Sequence, residues 1–276
     1  MRQSHTFWLF ILLGIIGSLI LIGCSEDSIN PTNYSVTATS NDYADVAEDF
    51  AATLADPDEG TLDTRAEMDF MPRSRMVEPP EERAPVSRDT TFIRHGLTFT
   101  IDITFYDVND IPSEEYDSLT TVRMTRLMTI TGSHEGPMRQ ATLNHESFLE
   151  RNHIAPEDEI HIINGNATST VTSHFDAIWR NVTRDFQAQH SWTREDIQIH
   201  TDRELHPYPL SGTITGHTVI TRTIVRNNRN VTETVEVGFT MTFDGTRYAR
   251  MEMDDGTVFW IDLDTGIAYR ERPGEP

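Results

Sequence analysis

From Thr90 onward the chain alternates apolar and polar residues, and this constrains its fold more than any other feature. Leu97, Phe99, Ile101, Ile103 and Phe105 hold alternate places, with Thr98, Thr100, Asp102 and Thr104 between them. Neighbouring side chains of an extended strand point to opposite faces, so such a run has one dry face and one wet one. Val122, Met124, Met128 and Ile130 repeat the pattern, and Arg126 interrupts it. Val231, Val235, Val237, Phe239, Met241 and Phe243 follow it again. Asp244–Gly245, Asp255–Gly256 and Asp264–Gly266 then turn the chain into runs at 248–253, 258–263 and 267–270. Asp-Gly between alternating runs is a hairpin signal, because Gly accepts the positive φ of tight turns. Ten of the 34 residues 213–246 are Thr, which is β-branched and polar and so suits the wet face.

Long strands with one apolar face must curl, close on themselves or stack sheet on sheet. Residues 90–276 therefore read as an all-β antiparallel meander of about eight to eleven strands, in the form of a half-barrel, barrel or sandwich. The middle, 138–211, is less regular. Ile160–Ile163, Thr168–Phe175 and Ile197–His200 read as strand, and Ala177–Gln187 as strand or short helix. One amphipathic helix precedes the sheet. Tyr43, Val46, Phe50 and Leu54 share a face over residues 41–55, Ser40 or Asn41 can cap it, and Pro57 and Gly60 stop it. Its polar face is acidic, so it reads as a packing helix over the sheet rather than a helix lying on a membrane.

The N-terminus carries a different signal. Arg2 precedes an apolar run from Phe7 to Ile22, which leads into Leu21-Ile22-Gly23-Cys24. The run falls short of the about 20 residues of a spanning helix and has the layout of an export signal. The four residues resemble the lipobox of bacterial lipoproteins. The resemblance implies that residues 1–23 are removed and that Cys24, the one cysteine of the chain, receives the lipid. It also implies that the protein sits exported in a bacterial envelope, held by acyl chains. Ser25 in place of Asp favours the outer membrane under the sorting rule of that family, and Glu26–Asp27 is similar to short surface-export signals. The competing reading is an uncleaved N-terminal anchor with an incidental cysteine.

Residues 24–40 read as a flexible tether and 56–89 as an acidic, proline-rich linker that cannot bury enough apolar surface to order itself. The formal charge is −22, and every basic residue is Arg. That balance disfavours nucleic acid and anionic headgroups as partners. Abundant carboxylate without Lys suits a high-salt setting, while a codon bias toward Arg explains the missing Lys alone.

No nucleophile motif, phosphate loop or cofactor fingerprint is present. Two acidic groups, Asp254, Asp255, Asp262 and Asp264, and Asp107, Asp110, Glu114, Glu115 and Asp117, offer hard oxygen ligands for calcium. Asp is equally the favoured turn residue, and that reading is preferred. His200, Asp202, Glu204 and His206, with His153 and His161, contain ligand types for zinc at spacings that fix no geometry. Trp179, Trp192 and Trp260 read first as core or rim aromatics and second as lining for a ligand pocket. The expectation is a non-enzymatic envelope lipoprotein that binds or scaffolds. A carrier of lipid or another apolar ligand is the alternative, with the 41–55 helix as its cover, and an envelope hydrolase is the third. Cys24 is the one site residue expected from sequence, with no catalytic, cofactor or metal residue nominated.

Overall fold

A computed structural model describes residues 32–55, 89–94, 97–136, 139–155, 157–177, 182–226 and 229–274. The stretch read as an export signal, Cys24, residues 56–88 of the stretch read as a linker, and Trp179 lie outside the described residues. The described residues form one 13-stranded sheet. In chain order the main strands are β2 (Asp89–Arg94), β3 (Leu97–Asp107), β5 (Thr121–Gly136), β6 (Arg139–Asn152), β7 (Ile160–Ala177), β8 (Val182–His200), β9 (Ser211–Arg226), β10 (Arg229–Thr242), β11 (Tyr248–Met253), β12 (Val258–Asp262) and β13 (Ile267–Tyr269). Each lies beside the next, so these strands form an up-and-down antiparallel meander. Short β4 (Pro112–Ser113) pairs with β3, and β1 (Thr32–Ser35) lies parallel to β10. Among the described residues the outer strands β2 and β13 do not pair with each other, so the sheet stays open.

Strand length shapes the sheet. Strands β5 to β10 run 14 to 19 residues. At about 3.3 Å per residue the longest spans roughly 60 Å, and a twisted sheet of that size buries one face by curling. The buried side chains of β3, β5 to β12 and the helix α1 (Ser40–Ala55) belong to one hydrophobic cluster. The inner face is the one the alternation picks out, with Phe99 opposite Ile130, Ile101 opposite Met128 and Phe105 opposite Met124. The outer face carries threonine pairs, such as Thr223 with Thr232 (2.9 Å) and Thr221 with Thr234 (3.5 Å).

The middle of the chain is more regular than it reads. Ile160–Ile163 and Thr168–Phe175 are parts of one strand, β7, and residues 182–200 are another, β8. A bulge in β8 explains the discrepancy. Ile163 pairs with Ile197 but Gly165 with Arg194, so one extra residue sits on β8. Asp196 takes φ 50° there, and its N–H donates to Asn164 Oδ1 at 2.7 Å. Ile197 and Ile199 therefore share the inner face with Arg194 and Trp192, although their numbers differ in parity.

Helix α1 lies against β10, β12 and β13. It buries Tyr43, Val46, Ala47, Phe50 and Ala51, the face expected from its spacing. Its cap is Thr39, one residue before Ser40 and two before Asn41. The Thr39 N–H and hydroxyl donate to Asp42 Oδ2 at 2.8 and 2.6 Å, and the Asp42 N–H reaches back to Thr39 Oγ1 at 3.4 Å. This is a reciprocal capping box. The other Asp42 oxygen takes Arg222 Nη2 at 2.8 Å, which ties the helix start to β9. Within the stretch read as tether, Thr32–Ser35 join the sheet as β1, with Thr32 opposite Val231 and Ser35 opposite Thr234.

Candidate functional site

The inner face is mostly apolar, with Arg151 and His161 buried toward one end and a further set of polar groups nearer its centre. Strand register sets three parallel lines of side chains across it. The first runs Arg126, Leu149, Gly165, Arg194, Ile214, Met241 from β5 to β10. The second runs Met128, Ser147, Ala167, Trp192, Gly216, Phe239, and the third Ile130, His145, Ser169, His190, Thr218, Val237. Two arginines thus stand on one line with the glycine of β7 between them, and a serine and two histidines stand on the next two. Arg126 is 3 % exposed, Arg194 1 % and His145 2 %.

These groups feel one another. Burial pushes the His145 imidazole down to about 4, and the positive charges of Arg194 and Arg126 push it the same way. His145 is therefore neutral at pH 7, with one ring nitrogen donating and the other accepting. It stacks on Trp192, with ring centroids 5.7 Å apart. His190 is likewise held down to about 4 by burial, and its Nδ1 lies 3.0 Å from Thr218 Oγ1. His145 Nε2 and Ser147 Oγ are buried and have no hydrogen-bond partner among the described residues. An unsatisfied buried polar atom costs about 1–3 kcal/mol, so two of them side by side are an invitation to a ligand.

Helix α1 overlies this region. Phe50 meets Trp192 edge-on at 6.0 Å and Phe239 at 4.7 Å. Glycine at 216 makes room for the contact, since a Cβ there would strike the Phe239 ring. Tyr43 on the same helix face is pushed up to about 12 by burial and by its hydrogen bond to Asp254. A recess of about 360 Å³ opens near the other end of β6 to β9, beside Thr142, Ser173, His174, Asp185 and Phe186. His174 and Asp185 are paired across it at 2.5 Å.

Most of the acidic residues weighed as calcium ligands are engaged by turn N–H groups, hydroxyls or arginines. Asp107 accepts the Asn109 and Ile111 N–H groups, each at 2.9 Å, and Asp117 accepts the Leu119 N–H at 2.8 Å. Asp110 pairs with Arg123. Ser113 Oγ accepts the Glu115 N–H at 3.1 Å in the same loop. Asp254 accepts the Gly238 N–H, and Asp255 the Thr257 N–H and hydroxyl. Asp262 is buried and takes Arg247 through both oxygens, while Asp264 accepts the Tyr208 hydroxyl at 2.8 Å.

The histidine set is brought together only in part. His200 and His206 rings lie 4.4 Å apart, and Asp202 turns back on Glu204 and Leu205. His161 is buried in β7 and accepts from Arg151 Nε at 2.9 Å. Burial first, then the Arg151 charge and the neighbouring His153 and His200, hold His161 down at about 3. Among the described residues no group of three or more His, Cys, Asp or Glu side chains is arranged to hold a metal. Of the tryptophans, Trp192 lines the inner site, and Trp260 lies half-buried under the Arg272 guanidinium.

The inner polar group was only partly legible beforehand. Arg126 stands out because it breaks an apolar alternation. Arg194 and His145 do not, because the bulge hides the parity of one and the other sits in a strand with few apolar residues. Comparison of the chain with protein-family models, with curated proteins and with solved structures finds no match.

Proposed function

We propose that this chain is a lipid-anchored envelope protein that binds an amphiphilic molecule with an acidic head group in the trough of its sheet. One observation carries the reading. Among the described residues His145 Nε2 and Ser147 Oγ have no hydrogen-bond partner, on an apolar wall that also holds Arg126 and Arg194. A carboxylate or phosphate offers the acceptor oxygens those donors need, and acyl or isoprenoid chains match the Ile, Met and Phe lining beside them. Helix α1, with Phe50 on Trp192, is then the movable cover. The anchor follows from the resemblance at Cys24, and two or three acyl chains hold a protein stably on a bilayer where one does so marginally.

The test is native mass spectrometry of the mature chain, purified without detergent exchange and then offered palmitate and phosphatidylglycerol. A bound mass that disappears on denaturation, and is lost in both Arg126→Met and Arg194→Met while the fold melts cooperatively, is the expected result. A bare wild-type mass after purification and after both additions overturns ligand binding. In that case the protein is a scaffold acting through the outside of its sheet, and the search turns to protein partners.

A further inference from the structure

Among the described residues ten large apolar side chains are exposed, and five of them gather at one end of the sheet. Val108, Ile111 and Leu119 stand on the connection from β3 to β5, Ile160 opens β7, and Leu205 stands on the connection from β8 to β9. Val108, Leu119 and Leu205 are 74 to 86 % exposed. Single exposed apolar residues are ordinary, but a group of them at one end of a fold marks an interaction surface. The register sets these connections side by side, since Arg123, Asn152, Ile162, Gln198 and Ser211 lie on one rung just inside them.

The backbone under these side chains is fixed by its own hydrogen bonds. Asp107 accepts the Ile111 N–H at 2.9 Å, Asp117 the Leu119 N–H at 2.8 Å and Asp202 the Leu205 N–H at 3.1 Å. An aspartate thus caps the N–H of the exposed apolar residue itself in all three turns. Tyr116 roots the longer loop by meeting Phe105 edge-on at 5.5 Å, and β4 pairs with β3 beside it. A surface set before binding loses less conformational freedom when a partner arrives.

Charge and span describe the partner that fits. The connections at 108–120, 153–159 and 201–210 carry nine carboxylates against one arginine, Arg203. Arg123 of β5 comes up to Asp110 and leaves the balance strongly negative. Anionic headgroups and nucleic acid have the same sign and are repelled. An apolar stripe bordered by lysine and arginine is complementary on both counts. The β3–β5 and β8–β9 connections are four strand spacings apart, with β6 and β7 between them. At about 4.8 Å each this is roughly 19 Å, the length of about 13 residues of α-helix. That distance also fits inside one protein interface of about 800 Å² per partner.

We propose that this end of the sheet docks a basic amphipathic helix of a partner protein. The helix lies across the strand ends, with its apolar stripe on Leu119, Ile160 and Leu205 and its cations toward the carboxylates. The contact requires neither the anchor at Cys24 nor a ligand in the trough.

The experiment uses the full chain and a labelled Leu/Lys peptide of about 18 residues, long enough to reach both loops as a helix. Fluorescence anisotropy in about 0.15 M salt compares it with a scrambled peptide that keeps the charge and loses the stripe. The striped peptide is expected to bind about tenfold tighter or more, since the stripe alone buries apolar area. Leu119→Ser and Leu205→Ser should each weaken it about tenfold, as loss of a buried Leu does. Both should leave the melting temperature in place, because these side chains face solvent in the free chain. Ile93→Ser, an exposed position at the opposite end of the sheet, should leave binding intact. Equal binding of the striped and scrambled peptides shows attraction of positive charge and nothing more, and overturns the proposal. So does striped-peptide binding that Leu119→Ser and Leu205→Ser leave unchanged. The same chains are offered phosphatidylcholine vesicles. Vesicle binding that both substitutions abolish, without binding of the striped peptide, assigns the loops to a bilayer and refutes the helix.

Discussion

Acid should loosen this protein through its inner histidines before its carboxylates titrate. His145 has an ordinary imidazole value of 6.5 when unfolded and about 4 when folded, because burial and then Arg194 and Arg126 oppose a proton. Between those values the unfolded chain binds more protons than the folded one. The stabilisation is complete above 6.5, is lost as the pH falls, and stops changing below about 4. For this one group, the loss between pH 7.5 and pH 5 is about 2 kcal/mol. His161, held down at about 3 by burial and the Arg151 charge, adds in the same direction. Asp42, Asp244 and Asp262 do not contribute in this window. Burial would raise each of them, but their hydrogen bonds and the partner arginines outweigh it and hold each carboxyl below its usual range. The assay is urea unfolding at the two pH values by tryptophan fluorescence, in about 0.5 M salt so that easing the acidic self-repulsion does not mask the loss. His145→Gln cannot titrate, so its stability should fall by about 2 kcal/mol less than wild type over the same interval. Equal losses in wild type and His145→Gln would refute the argument that an uncharged His145 is built into the folded state.

Three further outcomes are expected. Asp42→Ala removes both Thr39 hydrogen bonds and the Arg222 ion pair, and should cost about 2–4 kcal/mol, read by urea unfolding, with hydrogen exchange rising first in α1. Gly216→Val drives a side chain into the Phe239 ring, and should cost about 1–3 kcal/mol and weaken the contact of Phe50 with Phe239 and Trp192, read by near-ultraviolet dichroism. If α1 covers the ligand trough, Phe50→Ala should raise the rate of ligand exchange by more than its loss of stability accounts for, measured by transfer of a fluorescent fatty acid.

Much of the fold follows from residues read locally. The alternation at Leu97–Phe105 sorts inner from outer face wherever a strand lies, because the side-chain period is two. Glycines 245, 256 and 266 take φ of 80°, 84° and 66° at the Asp-containing turns, so the last strands were legible from turn chemistry. The helix face from Tyr43 to Phe50 was legible for the same local reason, since its period is that of the backbone. The proposed lipid attachment at Cys24 rests on the sequence alone, on the resemblance of Leu21–Cys24 to a lipobox.

Tertiary structure decided what depends on pairing distant segments. The bulge at Asp196 reverses the parity of β8, and that reversal puts Arg194 and Trp192 on the same face as Ile197. No local pattern marks it, because it is the neighbours β7 and β9 that set the register. His145 becomes neutral because burial, and after it the charges of two arginines from other strands, oppose its proton, not because of its own neighbours in the chain. Strand β1 joins β10 across about two hundred residues, a pairing that no local pattern in either segment announces. Local preference is set by each residue's own backbone and side chain, whereas charge environment and orientation are set by whichever residues burial brings together.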